Sequence, residues 1–323
     1  MLSDTKKLLS ICIPAYNDRI GLRDLFESLA DELADPVISK RVEIIVRDDA
    51  SPDGSLETIM AGYLEKFSNV RFVRNDVNLG FDKNVLAVVS DAVGQYCWLM
   101  SDNDAIFPGS LVEIVRILEE NQDVGHVYLQ AVTFDKDLKK LQSKIKKDVG
   151  SIRFDSSEEF ITVINLPGFI SSQIVRKDLW DSIEKEKYIG NYWIHLSTIL
   201  EFLPRTFGLY VTWPVIKARN KNAWAKDGKN MYVFLSLHTI INNLGEFGYS
   251  GECIKHFNRG FIRDLLEVAA YARIKGLRAS FSLIGELVRK FYSHPFRLMA
   301  VLLVLITPRV ILRHLGKIKT KLL

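Results

Sequence analysis

Two acidic clusters carry the first chemical signal in this sequence. "DDASPDGS" starts at Asp48 and "SDND" runs from Ser101 to Asp104, each directly after a short apolar run. Carboxylates gathered at such a point accept hydrogen bonds from a ligand or hold a hard divalent cation through oxygen. A D-x-D triplet such as Asp102-Asn103-Asp104 recurs by chance and is weak alone; a salt-bridged structural pair is the competing reading. Order strengthens it, because "PAYN", "DDASPDGS", "NLGFDKN" and "SDND" close four successive apolar runs. The three cysteines, Cys12, Cys97 and Cys253, lie far apart without zinc or disulfide spacing. Cys12 and Cys97 read as small core residues, in keeping with a reducing compartment.

Four such loops need strands to carry them. "LLSICIPAY", "VEIIVRDD", "VRFVRND" and "YCWLM" have the composition of buried strands, and "VGHVYLQAVTF" adds a fifth. Arg19 to Leu33, Ser55 to Phe67, Phe81 to Ala92 and Pro108 to Asn121 have helical periodicity, the last entered through a proline suited to a first turn. This alternation predicts an α/β fold, a mainly parallel sheet with helices on both faces. Ligands bind such sheets beyond the carboxyl ends of the strands, so the acidic clusters are expected on the functional rim. After about residue 135 the pattern changes. "DKDLKKLQSKIKKD" reads as a solvated connection, "GFISSQIVRKDLW" and "LYVTWPVIKAR" as strands, and "NYWIHLSTILEFL" as a helix between them. Met231 to Tyr292 is expected to be helical, and there is no internal repeat.

With 323 residues, 48% hydrophobic and 25% charged, the chain has globular composition and can bury a sizeable core in one large domain or two. No long apolar stretch precedes the first strand, so no secretory signal is expected. The net charge of +4 hides an asymmetry. From Leu287 onward Arg289, Lys290, Arg297, Arg309, Arg313, Lys317, Lys319 and Lys321 meet no acidic residue, leaving the rest of the chain net acidic. The same tail holds an unbroken apolar run from Leu298 to Ile306. A membrane span needs about 20 apolar residues, so this run is too short to cross. Apolar then basic is the pattern of a helix lying in an anionic membrane interface; a terminal helix packed on the body is the alternative. No nucleic-acid partner is expected.

The ordered loops resemble those of the inverting-type family 2 glycosyltransferases of GT-A fold, over the first ~130 residues. The finer pattern "NLGFDKN…YCWLMSDNDAIFPGSL" resembles the abequosyltransferase-like subgroup that builds bacterial O-antigen polysaccharide. The resemblance implies a Rossmann-like GT-A half over residues 1–134, an acceptor-binding region over 135–230 and a helical carboxyl-terminal region over 231–323. It implies that Pro14, Ala15 and Tyr16 line the base pocket and that Asp49 accepts a hydrogen from the base. Asn78, Gly80 and Asn84 would close over the nucleotide, although Asn84 follows Gly80 two positions sooner than in most of the family, which leaves the contacts of Asp82 and Lys83 open. Asp53 either supports its loop or is a turn residue. Asp102 and Asp104 match the metal-site triplet, for Mn²⁺ or Mg²⁺, with Asn103 an alternative by one residue in register. Arg219 matches an arginine that faces the diphosphate, and Trp224 a sugar-stacking lid residue.

One departure concerns the catalytic base. Where the family places Glu-Asp at the opening of an acceptor-side helix, this chain has Asn191-Tyr192. His195, one helical turn from Asn191, is the expected substitute as base, a buried core histidine being the alternative; Glu201 lies farther on, and a retaining mechanism without a base stays open. The resulting expectation is an enzyme moving a hexose, possibly deoxy or dideoxy, from a nucleoside-diphosphate sugar to a polyprenyl-diphosphate-linked oligosaccharide. It would be cytoplasmic and peripheral on the inner face of the plasma membrane. A non-catalytic nucleotide-sugar- or glycan-binding protein of the same fold is the second reading. A Rossmann oxidoreductase is disfavoured, because "IPAYNDR" stands where G-x-G-x-x-G would follow the first strand.

Overall fold

Burial is nearly continuous along Leu9–Ala15, Val42–Asp48 and Tyr96–Leu99, which is what a sheet covered on both faces requires. The computed structural model describes residues 7–143, 150–220 and 227–319. Strand β1 (Leu9–Ala15) points Leu9, Ile11 and Ile13 to one face and Cys12 to the other. Helix α1 (Arg19–Leu33) buries Leu22, Leu25, Phe26, Leu29 and Leu33, and α2 (Pro36–Arg41) is capped by Asp35 with proline at its start. β2 (Val42–Asp48), α3 (Ser55–Lys66), β3 (Val70–Arg74), α4 (Phe81–Ser90) and β4 (Tyr96–Leu99) continue the alternation. The two-residue β5 (Ala105–Ile106), α5 (Ser110–Glu120) and β6 (Val124–Phe134) follow.

The next segment adds β7 (Ser151–Phe154), α6 (Ser157–Val163), β8 (Gln173–Arg176), α7 (Lys177–Asp181), α8 (Ile194–Phe202) and the long β9 (Phe207–Arg219). All nine strands join one sheet in the order β3-β2-β1-β4-β8-β6-β9-β5, with β7 also beside β9. β1 to β4 pair in parallel; β8 is antiparallel to β4 and β6, and β9 runs parallel to β6. Residues 7–143 and 150–220 therefore share one sheet and two core layers. Phe26, Trp98, Ile114 and Leu118 fill one face; Val85, Val88, Trp180, Ile194 and Phe202 fill the other.

Two boundaries differ from expectation. "GFISSQIVRKDLW" is not one strand: β8 keeps four residues, entered through a tight turn at Ile170–Ser172 and left through α7. Its start is set by tertiary contact, since Trp98 donates Nε1–H to Ser171 O at 2.7 Å. The helix expected to open at Asn191 opens at Ile194 instead. Asn191 Oδ1 accepts the Trp193 N–H at 2.7 Å, and Tyr192 has φ +64°, so neither residue is helical.

Residues 222–323 form a second compact unit. It contains α9 (Asn230–Asn242), α10 (Gly251–Lys275), α11 (Phe281–Phe291), α12 (Pro295–Ile306) and α13 (Arg309–Lys319). Leu235, Leu265, Ala269, Leu287, Phe291, Val301 and Leu305 make its core. On α12, Phe296, Met299, Leu303 and Ile306 stay exposed, Phe296 at 89%.

Candidate active site

The loops after β1, β2, β3 and β4 are joined by hydrogen bonds, so the rim expected from their order exists as one network. Asp49 N–H donates to Ala15 O, Asn17 N–H to Ser51 Oγ, and Tyr16 N–H to Asp102 Oδ2 at 3.0 Å. Pro14 and Ala15 end β1, which leaves Tyr16 half exposed at the mouth.

Asp49 is 3% exposed and holds the loop that follows β3. Its Oδ1 accepts from Leu79 N at 2.7 Å and Asn75 Nδ2 at 2.9 Å, and its Oδ2 from Gly80 N at 2.9 Å. A carboxylate has about four lone-pair sites, so capacity for one more donor remains. Asn78 Nδ2 donates to Asp49 O, and Gly80 has φ +81°, a conformation that needs glycine. Asn84 is buried and links Asn75 Nδ2 to Arg47 O. Asp53 is an exposed turn residue: its Oδ1 accepts Ser55 N–H, which pulls its pKa down.

Two residues of this network, Asp48 and Asn75, had no role assigned from the sequence. Asp48, fully buried, accepts from Ser51 and from Arg74 Nη1 at 2.7 Å, which shapes the loop carrying Asp49. Asn75 is the hub between Asp49 and Asn84. Its signal was its place at the end of the third apolar run, the position that singled out the other loop residues.

The acidic turn after β4 is built against α1. A Cβ on Gly21 would come within 2.7 Å of Asn103 Cα and Asp102 O, so only glycine permits that approach. Asp104 is 1% exposed; Ser171 Oγ–H donates to its Oδ2 at 2.6 Å and Arg219 N–H to its Oδ1 at 2.9 Å. Burial pushes its pKa up to about 6, against the lowering influence of those bonds and of the Arg219 charge. A buried carboxylate in that condition is one whose charge a cation would relieve. Each oxygen has a second lone pair to offer. Asp102 and Asp104 thus fit a divalent ion of the Mg²⁺ or Mn²⁺ type, which takes one or two carboxylates and completes its shell with water and phosphate oxygen. Among the described residues no group of three His, Cys, Asp or Glu side chains forms a closed cage.

Two expected roles are corrected by geometry. Arg219, expected to face the diphosphate, has its guanidinium held by protein partners. Its side chain is 4% exposed, with Nε donating to Asn103 O, Nη1 to Lys136 O and Nη2 to Asp24 Oδ2 at 2.6 Å. Asp24 on α1 turns the guanidinium inward, where it braces the acidic turn. His195 is a core histidine. It is 3% exposed, its Nε2 is 3.0 Å from Gly168 O, and burial pushes its pKa down to about 4. Buried at the start of α8, its ring does not share an exposed face with Asn191. Glu201 is tied to Lys187 and Tyr188. Trp224 lies outside the described residues.

Residues 10–181, more than half of the chain, match the profile of Glycosyl transferase family 2. The abequosyltransferase RfbV of Salmonella typhimurium is 26% identical over 259 residues, covering 74% of this chain and 75% of its own length. Among solved structures, S. aureus TarS 1-349 in complex with UDP matches with TM-score 0.56 at 14% identity, over 92% of this chain and 90% of that one. The mannosyltransferase PcManGT from Pyrobaculum calidifontis, solved with GDP-Man and Mn²⁺, matches with TM-score 0.56 at 13% identity, over 94% and 88%. At such identities the structural likeness speaks for fold, and that fold is the expected GT-A arrangement. Together with the rim described above, the profile match makes the chain a nucleotide-sugar-dependent glycosyltransferase that belongs to family 2.

Proposed function

We propose that this enzyme transfers one hexose, of the deoxy or dideoxy kind, from a nucleoside diphosphate to a hydroxyl of a polyprenyl-diphosphate-linked oligosaccharide in bacterial surface polysaccharide synthesis. The similarity to an abequosyltransferase along most of the chain supports the sugar class. The observation that carries the donor reading is the Asp49 network, in which one residue binds the loop after β3 through its carboxylate and the end of β1 through its backbone N–H. Asp49 takes a donor from the base, Tyr16 covers base or ribose, and Asp102 with Asp104 holds the ion. That ion, when bound, neutralises charge on the departing diphosphate.

The helical unit supports the lipid-linked acceptor. Phe296, Met299, Leu303 and Ile306 repeat at helical spacing on one exposed face of α12, and α13 follows with Arg309 and Arg313. No described helix is long and apolar enough to cross a membrane. An apolar face beside cations suits attachment at an anionic surface, the inner face of the plasma membrane, with the bulk of the enzyme in the cytoplasm.

Purified protein should transfer sugar from one member of a UDP-, GDP-, CDP- and dTDP-hexose panel with Mn²⁺. The combined variant Phe296→Glu, Met299→Glu and Leu303→Glu should stay folded yet leave phosphatidylglycerol-containing vesicles in a flotation assay. Unchanged flotation rejects the membrane reading. Because Asn191-Tyr192 replaces the family's carboxylates, a non-catalytic binding protein is the second reading; it would bind a member of the panel without turnover.

A further inference from the structure

The turn that leads into β8 is built of buried polar residues: Ser171, Ser172 and Gln173 are all 0% exposed. A buried polar group costs free energy unless it is hydrogen-bonded. Ser171 meets that demand on the acidic turn after β4. Its Oγ–H donates to Asp104 Oδ2 at 2.6 Å, and the same oxygen accepts the Ser101 N–H at 3.1 Å. One hydroxyl therefore holds both ends of the turn, Ser101 and Asp104. Its single proton goes to the carboxylate, because the bond from Ser101 uses a lone pair.

Ser171 is itself held firmly. Trp98, on β4, donates Nε1–H to its carbonyl at 2.7 Å. Gln173 Nε2 donates to Pro167 O and to Phe169 O, each at 2.7 Å, and its Oε1 lies 2.7 Å from His126 Nε2. His195 Nε2 meets Gly168 O in the same segment. Asn165 and Leu166 open that segment at φ +56° and +68°, left-handed values that cost an L residue about 1–2 kcal/mol. Such strain persists where the surroundings over-determine the backbone, as His126, Gln173 and His195 do here.

We propose that Ser171 is a positioning residue for the ion site: its hydroxyl orients the Asp104 carboxylate and closes the turn around Asp102 and Asn103. This rests on the reading of Asp102 and Asp104 as ion ligands. Ser171 acts through Asp104 and touches neither substrate nor ion. Without the hydroxyl, the Arg219 N–H at Oδ1 is the hydrogen bond left to fix that carboxylate among the described residues. Hydrogen bonds to ligating carboxylates are worth about 10–100-fold in metal affinity. Ser172, next in the chain and equally buried, interacts with Tyr128 instead and serves as the control.

The test titrates Mn²⁺ into the full chain and follows loss of the free-ion paramagnetic resonance signal. Protein is kept in excess over whichever of UDP, GDP, CDP and dTDP the native protein binds most tightly. Ser171→Ala should weaken Mn²⁺ binding about tenfold or more, and raise the Mn²⁺ concentration for half-maximal transfer in step, with kcat at saturating Mn²⁺ nearly unchanged. Ser171→Thr, which keeps the hydroxyl, should recover part of the loss, and Ser172→Ala should bind Mn²⁺ as the native protein does. Native Mn²⁺ affinity in Ser171→Ala, or equal weakening by Ser171→Ala and Ser172→Ala, overturns the proposal and leaves Ser171 a packing residue. If Ser171→Ala does not fold, Ser171→Cys, with its weaker donor, is judged by the same affinity criterion. A native protein that binds nucleotide but takes up no Mn²⁺ sinks the ion reading itself, and the role of Ser171 falls with it.

Discussion

The rim around Asp49 and the turn that precedes α8 use their buried carboxylates differently. On the rim, Asp48 and Asp49 engage both carboxylate oxygens: Asp48 binds Ser51 of its own loop and Arg74 at the end of β3, and Asp49 binds the loop after β3. Before α8, Asp82 holds Gly190 and Tyr192 through Oδ2, while its buried Oδ1 has no hydrogen-bond partner among the described residues; positive φ occurs in both places, at Tyr192 and Gly190 here and at Asn17 and Ala50 on the rim. The first arrangement suits a ligand common to many enzymes, whose pocket can be rigid.

The largest expected effect lies on the rim. Asp49→Ala strands the Leu79 and Gly80 N–H groups and Asn75, at about 1–3 kcal/mol for each buried unpaired group. It should lower the denaturant midpoint strongly and abolish calorimetric binding of UDP, GDP, CDP and dTDP in Mn²⁺. An unchanged midpoint would mean that the rim is not held by this carboxylate. Acid titration sharpens the other side. His195 and His126 are both depressed to about 4 by burial, below their unfolded value of 6.5. Their contribution is whole above pH 6.5 and lost as pH falls toward 4, because the unfolded chain then binds protons that the folded chain refuses. Each loss is about 3 kcal/mol. His195→Asn should flatten that slope and leave sugar transfer at neutral pH within several-fold; a folded variant without transfer would return the base role to His195. Gly21→Ala is the mildest change. Pushing the Asp102-Asn103 backbone aside should cost about 1–3 kcal/mol and raise the Mn²⁺ concentration needed for half-maximal transfer.

Legibility in the sequence followed the distance over which each feature is decided. β1 to β4 and α1 were readable because a continuous apolar run and a local helical stripe need no knowledge of partners. The four rim loops were readable for the same reason, each being a polar stretch closing such a run. β5 and β7 were not, since two and four residues become strands only by pairing with β9. The start of α8 was misjudged because Asp82, 108 residues earlier, satisfies the Gly190 N–H and fixes the turn. Arg219 looked like a ligand-facing cation; its partner Asp24 is 195 residues away and invisible to any local pattern. His195 had the right chemistry in the wrong environment, and only packing distinguishes the two.

The placement of Arg219 has a consequence for how the acidic turn is assembled. Three nitrogens of one planar group reach α1, the turn itself and the segment beyond β6, a geometry that the single ammonium of lysine does not reproduce. The turn thus carries its own counter-charge from the moment the domain folds. The nucleotide and ion proposed above would meet a loop already ordered, so little of their binding energy would go into shaping it.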